Sequence, residues 1–187
     1  GGINIYLQHR YRFFRLPPGL LDRLWDSRPL LRLAVRWGMS VDPSVLGSLT
    51  VATLRGTRGF LKKEIGKLVR FLAELSPDVV NLPNSMLSAL APAIKAEMKV
   101  PVCCTLQGED LFLNGLLEPY RGESLRLIAE NAAHVDAFIA ISHYGAESMA
   151  AFLGIDRGRI RVAPLGIRAE AFGNRRAAPP DPFTVGY

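Results

Sequence analysis

The chain has 187 residues, a length that fits one domain with at most a short piece of a second. Its hydrophobic content of 49% excludes a disordered chain, and it contains no apolar run of the 18 or more residues typical of a membrane-spanning helix. The net charge of +6 comes from residues 1–76, which hold 13 basic and 5 acidic residues, whereas residues 77–187 hold 10 and 12. The basic first part suits an anionic partner, and a solvated helix surface explains it equally well.

Apolar runs and turn residues predict strands that alternate with helices along the chain. In the first part they predict strand 3–8, helix 28–37, and a long helical region over 45–75 that is interrupted at Gly56 and Gly59. In the second part they predict strands 79–82, 100–105, 137–141 and 160–162, and helices 86–97, 123–133 and 143–152. Ser85 and Ser142 are the predicted N-caps of two helices, and Gly154 is a predicted left-handed C-cap. Both ends of the sequence fall in strand-like runs, so we expect a fragment of a longer protein.

This alternation predicts a parallel α/β sheet, which binds its ligands outside the carboxyl ends of the strands. The residues that follow the strands are therefore candidate contacts along one edge of the sheet: Asn84, Gln107, Gly108, Asp110, Ser142, Pro164 and Gly166. A turn over 164–166 predicts a positive φ at Gly166. Helix capping is the simpler role for Asn84, and it explains Ser142 as well as ligand contact does.

Residues 105–110, Thr-Leu-Gln-Gly-Glu-Asp, form the strongest candidate site. A glycine allows a ligand to approach the backbone closely, and the amide of Gln107 offers both a donor and an acceptor for hydrogen bonds. Sugar hydroxyls require such neutral and anionic groups at a rigid position. The alternative is a turn in which Asp110 only caps the next segment.

Several other kinds of site are excluded or disfavoured. The sequence has no glycine-rich dinucleotide or triphosphate loop after a strand, and no Gly-x-Ser-x-Gly elbow. Its three histidines lack the spacing of metal ligands, so neither a metal nor a cofactor is implied. Cys103 and Cys104 are adjacent on a predicted strand, so we expect them to point to opposite faces as buried thiols of a reducing compartment.

The order of the motifs is more specific than any one of them. An Asp-Val-Val strand, residues 105–110, the run Ala-Phe-Ile-Ala-Ile-Ser and the run Arg-Val-Ala-Pro-Leu-Gly-Ile together resemble the N-terminal domain of family 4-like glycosyltransferases of GT-B architecture. The resemblance is good over residues 77–172 and loose over residues 1–76. It departs from the family at Gln107, where family members often have His, and at Arg168, where they often have Asp.

The resemblance implies two Rossmann-like domains, of which the N-terminal one binds the acceptor and the C-terminal one a nucleotide-sugar. It implies transfer to a sugar, lipid or other hydroxyl acceptor with retention at the anomeric carbon, and acceptor contacts at Gln107, Gly108, Asp110, Asn84 and Ser142. It predicts three segments: an acceptor-side domain over 1–172 that lacks its first strand, a linker over 173–182, and the first strand of a donor domain over 183–187. Because the rest of the donor domain is not part of the fragment, the fragment alone is expected to be inactive. A non-catalytic sugar- or regulator-binding module and an atypical Rossmann dehydrogenase or epimerase are the alternatives.

Arginine alternates with aromatic residues over residues 10–37. This pattern suits a surface where anionic headgroups meet acyl chains, and the resemblance implies that lipid-linked acceptors are common. We therefore expect a cytoplasmic protein with peripheral contact at the inner face of the membrane, and no nucleic-acid partner. The alternative is that the aromatic residues belong to the core and the arginines to an ordinary solvated surface.

Overall fold

A computed structural model of the chain describes residues 43–168 and residue 170. Its helices are α1 (Pro43–Leu54), α2 (Lys62–Leu75), α3 (Ala91–Met98), α4 (Asp110–Asn114), α5 (Tyr120–Ala132) and α6 (His143–Leu153). Its strands are β1 (Val80–Leu82), β2 (Val102–Leu106), β3 (Ala137–Ala140) and β4 (Ile160–Val162). Short 3₁₀ helices cover Gly56–Arg58, Ser85–Leu90 and Arg157–Arg159. The predicted strand 3–8, helix 28–37 and linker 173–182 lie outside the described residues.

The four strands form one parallel sheet in the order β1-β2-β3-β4. Cys104 of β2 lies opposite Leu82 of β1 and Phe138 of β3, and Phe138 lies opposite Ile160 of β4. All four strands therefore end at the same side of the sheet, which we call the carboxyl edge. The predicted Rossmann-like α/β fold is confirmed for this part of the chain, and it is consistent with one half of a GT-B protein.

Alternate residues of the strands face the hydrophobic core. Val102, Cys104 and Leu106 of β2 are buried, together with Phe138 and Ala140 of β3, whereas the residues between them are half-buried. The two cysteines point to opposite faces as predicted, and both are free thiols. Burial, with a smaller effect from nearby negative charge, raises the pKa of the Cys104 thiol to about 12, so this thiol stays protonated and unreactive.

Helix α1 packs closely against α5. A Cβ atom added to Gly47 would lie 2.6 Å from a ring atom of Tyr120, so only glycine allows this approach. Near the end of α1, the buried side chain of Asn131 donates a hydrogen bond from Nδ2 to the carbonyl oxygen of Leu54 at 2.9 Å. The helical region 45–75 is interrupted at the predicted glycines, because Gly56 has a φ of 57° and starts a 3₁₀ turn.

The helix predicted over 86–97 differs most from the structure. A 3₁₀ helix covers Ser85–Leu90 and α3 begins only at Ala91. Ser85 is therefore not an N-cap, and its backbone N–H donates instead to the carboxylate of Glu109. The predicted caps of α6 are correct, since Ser142 accepts a hydrogen bond from the backbone N–H of Gly145 and Gly154 has a φ of 66°. Within the described residues, every helix is too short or too polar to cross a membrane.

Candidate functional site

A cavity of about 250 Å³ opens at the carboxyl edge, between the ends of β2 and β3 and the first turns of α6. Four of the predicted site residues line it: Gln107, Gly108, Asp110 and Ser142. Tyr144, Gly145 and Ser148 add further lining groups, and the buried side chains of Leu106, Ala140 and Met149 form part of the wall. The parallel strands thus bring together residues up to 43 positions apart in sequence, from Leu106 to Met149.

Gln107 is held at two points. Its backbone N–H donates to Glu109 Oε2 at 2.9 Å, and its side-chain Nε2 donates to the carbonyl oxygen of Pro83 at 2.8 Å. Because a carbonyl oxygen only accepts hydrogen bonds, the second contact fixes which end of the amide carries the nitrogen. The amide oxygen Oε1 therefore lies on the side of the amide away from Pro83, with the side chain exposed at the cavity.

Gly108 and Asp110 complete the loop after β2. Gly108 has a φ of 80°, in the left-handed region that glycine occupies without strain. Asp110 is the first residue of α4 and not its cap, since Glu109 occupies the N-cap position. A carboxylate in the first turn of a helix lies near the positive end of the helix dipole. Asp110 thus presents carboxylate oxygens to the cavity from a fixed position.

Ser142 has the capping role and lies at the cavity as well. Its Oγ accepts the hydrogen bond from the Gly145 N–H at 3.0 Å, and its hydroxyl hydrogen remains a donor. Tyr144 follows two residues later in the first turn of α6, with 84% of its surface exposed. An exposed aromatic ring beside neutral hydrogen-bonding groups is a typical arrangement of a ligand pocket.

Three of the predicted contacts do not line this cavity. Asn84 follows β1, and its Oδ1 is buried without a hydrogen-bond partner among the described residues. Asn84 occupies the N-cap position of the 3₁₀ helix as expected, and its backbone carbonyl accepts from the Leu87 N–H, but its side chain makes no capping bond. Pro164 and Gly166 follow β4 and are exposed. The positive φ predicted at Gly166 is also wrong, because it does not occur there and residues 163–168 form no regular turn.

The charge of the cavity is low. Asp110 is the one charged residue among the described residues that line it, and none of these is basic. The described residues also contain no cluster of three or more potential metal ligands. The chemistry of the lining therefore favours a neutral, hydroxyl-bearing ligand over a phosphate at this position.

The family of the chain is settled by its sequence match. A family model described as Glycosyltransferase Family 4 matches residues 43–171, which is more than half of the chain. The chain belongs to this family. Comparison with curated proteins and with solved structures finds no matching protein.

The Glycosyltransferase Family 4 match confirms the resemblance drawn from the motifs, and it begins at residue 43, well before the part in which the resemblance was good. Sequence reasoning missed two residues of the site. Glu109 accepts hydrogen bonds from backbone N–H groups after β1 and after β2, and Tyr144 lines the cavity. Tyr144 could have been found from the sequence, because it is an aromatic residue in the first helical turn after a strand. The hydrogen bond between Glu109 and Ser85 joins residues 24 positions apart and leaves no local signal.

Proposed function

We propose that the chain is the acceptor-side part of a glycosyltransferase that moves a sugar from a nucleotide-sugar to a hydroxyl group of a sugar, lipid-linked or other acceptor. The observation that carries this proposal is the cavity at the carboxyl edge, which is lined by an amide, hydroxyls, one carboxylate and an aromatic ring. Membership of Glycosyltransferase Family 4 favours the transferase over a non-catalytic binding module and over an atypical dehydrogenase or epimerase.

In this proposal the residues of the cavity orient the acceptor. Oε1 of Gln107 and the carboxylate of Asp110 accept hydrogen bonds from acceptor hydroxyls, and the hydroxyl of Ser142 donates one. The ring of Tyr144 packs on the apolar face of the acceptor sugar. Because Gln107 cannot carry a proton, we propose that the leaving diphosphate helps to deprotonate the acceptor and that the anomeric configuration is retained. Catalysis then depends on orientation and charge stabilisation, with no resident metal or cofactor.

A donor-binding half is a further part of the proposal. The described lining of the cavity offers no basic group for a departing diphosphate, so we propose that such groups belong to a separate nucleotide-sugar domain and that the chain of residues 1–187 alone does not turn over. The boundaries at residues 172 and 182 stay a prediction.

Acceptor kinetics of the full-length enzyme test the site. A panel of nucleotide-sugars and acceptors first identifies a productive pair, and Gln107→Ala and Asp110→Ala are then compared with the wild type. Loss of one buried hydrogen bond costs about 1–3 kcal/mol, so we expect kcat/KM for the acceptor to fall roughly 5- to 150-fold. Glu97→Ala, an exposed change on α3, is the control and should leave kcat/KM unchanged. Wild-type kinetics in either cavity variant would remove that residue from the site.

We also propose peripheral contact with an anionic membrane. The arginine-rich aromatic stretch 10–37 lies outside the described residues, but α2 offers independent support. Leu68, Phe71 and Leu75 are 39%, 56% and 61% exposed, and their spacing of three and four residues places them along one side of the helix. The basic residues Lys62 and Arg70 of the same helix are exposed too. An exposed apolar stripe on a helix that also carries exposed basic residues on its other sides supports contact with a bilayer surface through the stripe.

Co-sedimentation with vesicles tests this contact. The full-length protein should bind vesicles with anionic lipid and be released by salt, since each basic residue near the surface is worth about 1 kcal/mol. Phe71→Ser should weaken binding, whereas the control Leu117→Ser, at a residue with a similar exposure of 57%, should not. Equal binding to neutral and anionic vesicles, or none at low salt, would contradict the proposal. A cytoplasmic location at the inner face of the membrane stays a prediction.

A further inference from the structure

We propose that Glu109 is a positioning residue for the acceptor, an inference that rests on the function proposed above. Its carboxylate is 5% exposed and links the ends of two strands. Oε1 accepts a hydrogen bond from the backbone N–H of Ser85, after β1, at 2.7 Å. Oε2 accepts one from the backbone N–H of Gln107, after β2, at 2.9 Å.

This link fixes the residue that is proposed to contact the acceptor. Glu109 holds the backbone of Gln107, and the carbonyl of Pro83 holds its side-chain Nε2 at 2.8 Å. Pro83 lies in the turn after β1 and Ser85 begins the 3₁₀ helix that follows it, so this segment is joined to the loop after β2 both through Glu109 and through Gln107 itself. The amide oxygen of Gln107 thereby has one position at the cavity before any acceptor binds. Such pre-organisation lowers the cost of ordering the site when the substrate arrives.

The chemistry requires a carboxylate at this position. Both partners are N–H donors, and only a side chain with two acceptor oxygens can satisfy both at once. In Glu109→Gln, an NH₂ group would face one of the two N–H donors, so one buried hydrogen bond is lost. In Glu109→Asp, the side chain is shorter by one methylene and cannot span the same two atoms. Glu109 does not line the cavity, so it acts through Gln107.

Kinetics of the full-length enzyme separate a positioning role from a structural one. We expect Glu109→Gln to raise the acceptor KM about tenfold, the effect of losing one buried hydrogen bond, and to leave the donor KM within about twofold. Because Glu109 acts through Gln107, the double variant with Gln107→Ala should be no more impaired than Gln107→Ala alone. An unchanged acceptor KM, or fully multiplicative effects in the double variant, would overturn the inference.

Glu123→Gln is the matched control. Glu123 also has a carboxylate with two partners, Arg55 and Arg126, but it lies on α5 away from the cavity. Its variant should weaken these ion pairs without changing the acceptor KM. If the control variant raises the acceptor KM as much as Glu109→Gln does, general destabilisation explains both results and the positioning role is refuted.

Hydrogen exchange gives a readout that does not depend on the proposed activity. In the wild type, the amide of Ser85 at the start of a 3₁₀ helix and the amide of Gln107 in a loop should both exchange slowly, because both are bonded to a buried carboxylate. Glu109→Gln should accelerate the exchange of one or both, and the control should not. Fast exchange at both amides in the wild type would refute the link even if Glu109→Gln fails to fold. If exchange is slow but the wild type transfers sugar to no acceptor in the panel, the proposed function fails and the link between the loops stands.

Discussion

Replacement of Ser142 separates the two roles that this residue combines. Its Oγ caps the first turn of α6 by accepting the Gly145 N–H at 3.0 Å, and the same side chain lines the cavity at the carboxyl edge. Ser142→Ala removes the acceptor of the capping bond and the hydroxyl donor at the cavity together. Ser142→Asp keeps acceptor oxygens for the cap but offers no donor to the cavity.

The expected loss of stability follows from the capping geometry. Ser142 has the extended conformation of an N-cap, with φ −152° and ψ 160°, and its bond satisfies one N–H that has no partner within the helix. Helix α6 buries Ala146, Met149 and Leu153 in the core, so its first turn is part of the folded unit. Replacing a serine N-cap by alanine costs about 1 kcal/mol, in a range of about 0.5–2. Aspartate caps about as well as serine, so the free energy of unfolding of Ser142→Asp should stay within about 0.5 kcal/mol of the wild type.

Urea denaturation and acceptor kinetics on the same three proteins test this reasoning. We expect Ser142→Ala to lower the free energy of unfolding and to raise the acceptor KM. We expect Ser142→Asp to restore the stability but not the acceptor KM, since its carboxylate has no donor for the acceptor. Wild-type stability in Ser142→Ala would refute the capping geometry. Restoration of both quantities by aspartate would show that Ser142 is only a cap and would remove it from the site.

Three further predictions concern stability. Gly154→Ala should lower the free energy of unfolding by about 1 kcal/mol, because a φ of 66° is strained for an L-residue, while the space around Gly154 is open. Gly56→Ala should lower the free energy of unfolding by more than Gly154→Ala does, since the added Cβ would also lie 2.9 Å from the carbonyl oxygen of Ala89. Equal losses of stability in urea denaturation of the two variants would contradict this contact. The hydrogen bond that Lys95 donates is the main cause of the lowered pKa of Asp136. The stability that ionised Asp136 contributes is therefore complete above its ordinary pKa of 3.8, and it is lost as the pH falls through the pKa of the folded state. Asp136→Asn should therefore be less stable than the wild type at neutral pH, with a difference that narrows below about pH 4; a difference that does not change with pH would refute the pairing.

The sheet could be predicted from the sequence because its signals are local. Each strand is a short apolar run that stops at a polar or glycine residue, and β4 was predicted with its observed bounds. The other strands differ by one or two residues at an end. In β2 the predicted start at residue 100 moves to Val102, because Pro101 has no N–H to donate to the ladder, although its carbonyl accepts from the Val80 N–H at 3.0 Å.

The parts of the site that could not be predicted depend on contacts between distant residues. A serine after a strand has the local pattern of an N-cap, and at Ser142 this pattern is right. At Ser85 the same pattern is wrong, because the N–H that follows β1 is satisfied by Glu109 from the neighbouring loop. Local sequence patterns cannot predict this hydrogen bond, because Glu109 comes close to Ser85 only when β1 and β2 pair in the folded sheet. The placement of Gln107, Gly108, Asp110 and Ser142 in one cavity was predictable because it needs only the shared direction of parallel strands.

The use of backbone donors at the carboxyl edge bears on what the described part of the chain is suited to bind. Rossmann-like domains that bind dinucleotides offer backbone N–H groups of a glycine-rich turn and a helix N-terminus to a pyrophosphate. Here three such donors have partners within the protein, since Glu109 accepts from Ser85 and Gln107 while Ser142 accepts from Gly145. Among the described residues, the lining of the cavity offers side-chain amide, hydroxyl and carboxylate groups and no basic residue. In the proposed function these groups bind the hydroxyls of an acceptor, and basic groups outside this cavity meet the charge of the nucleotide diphosphate.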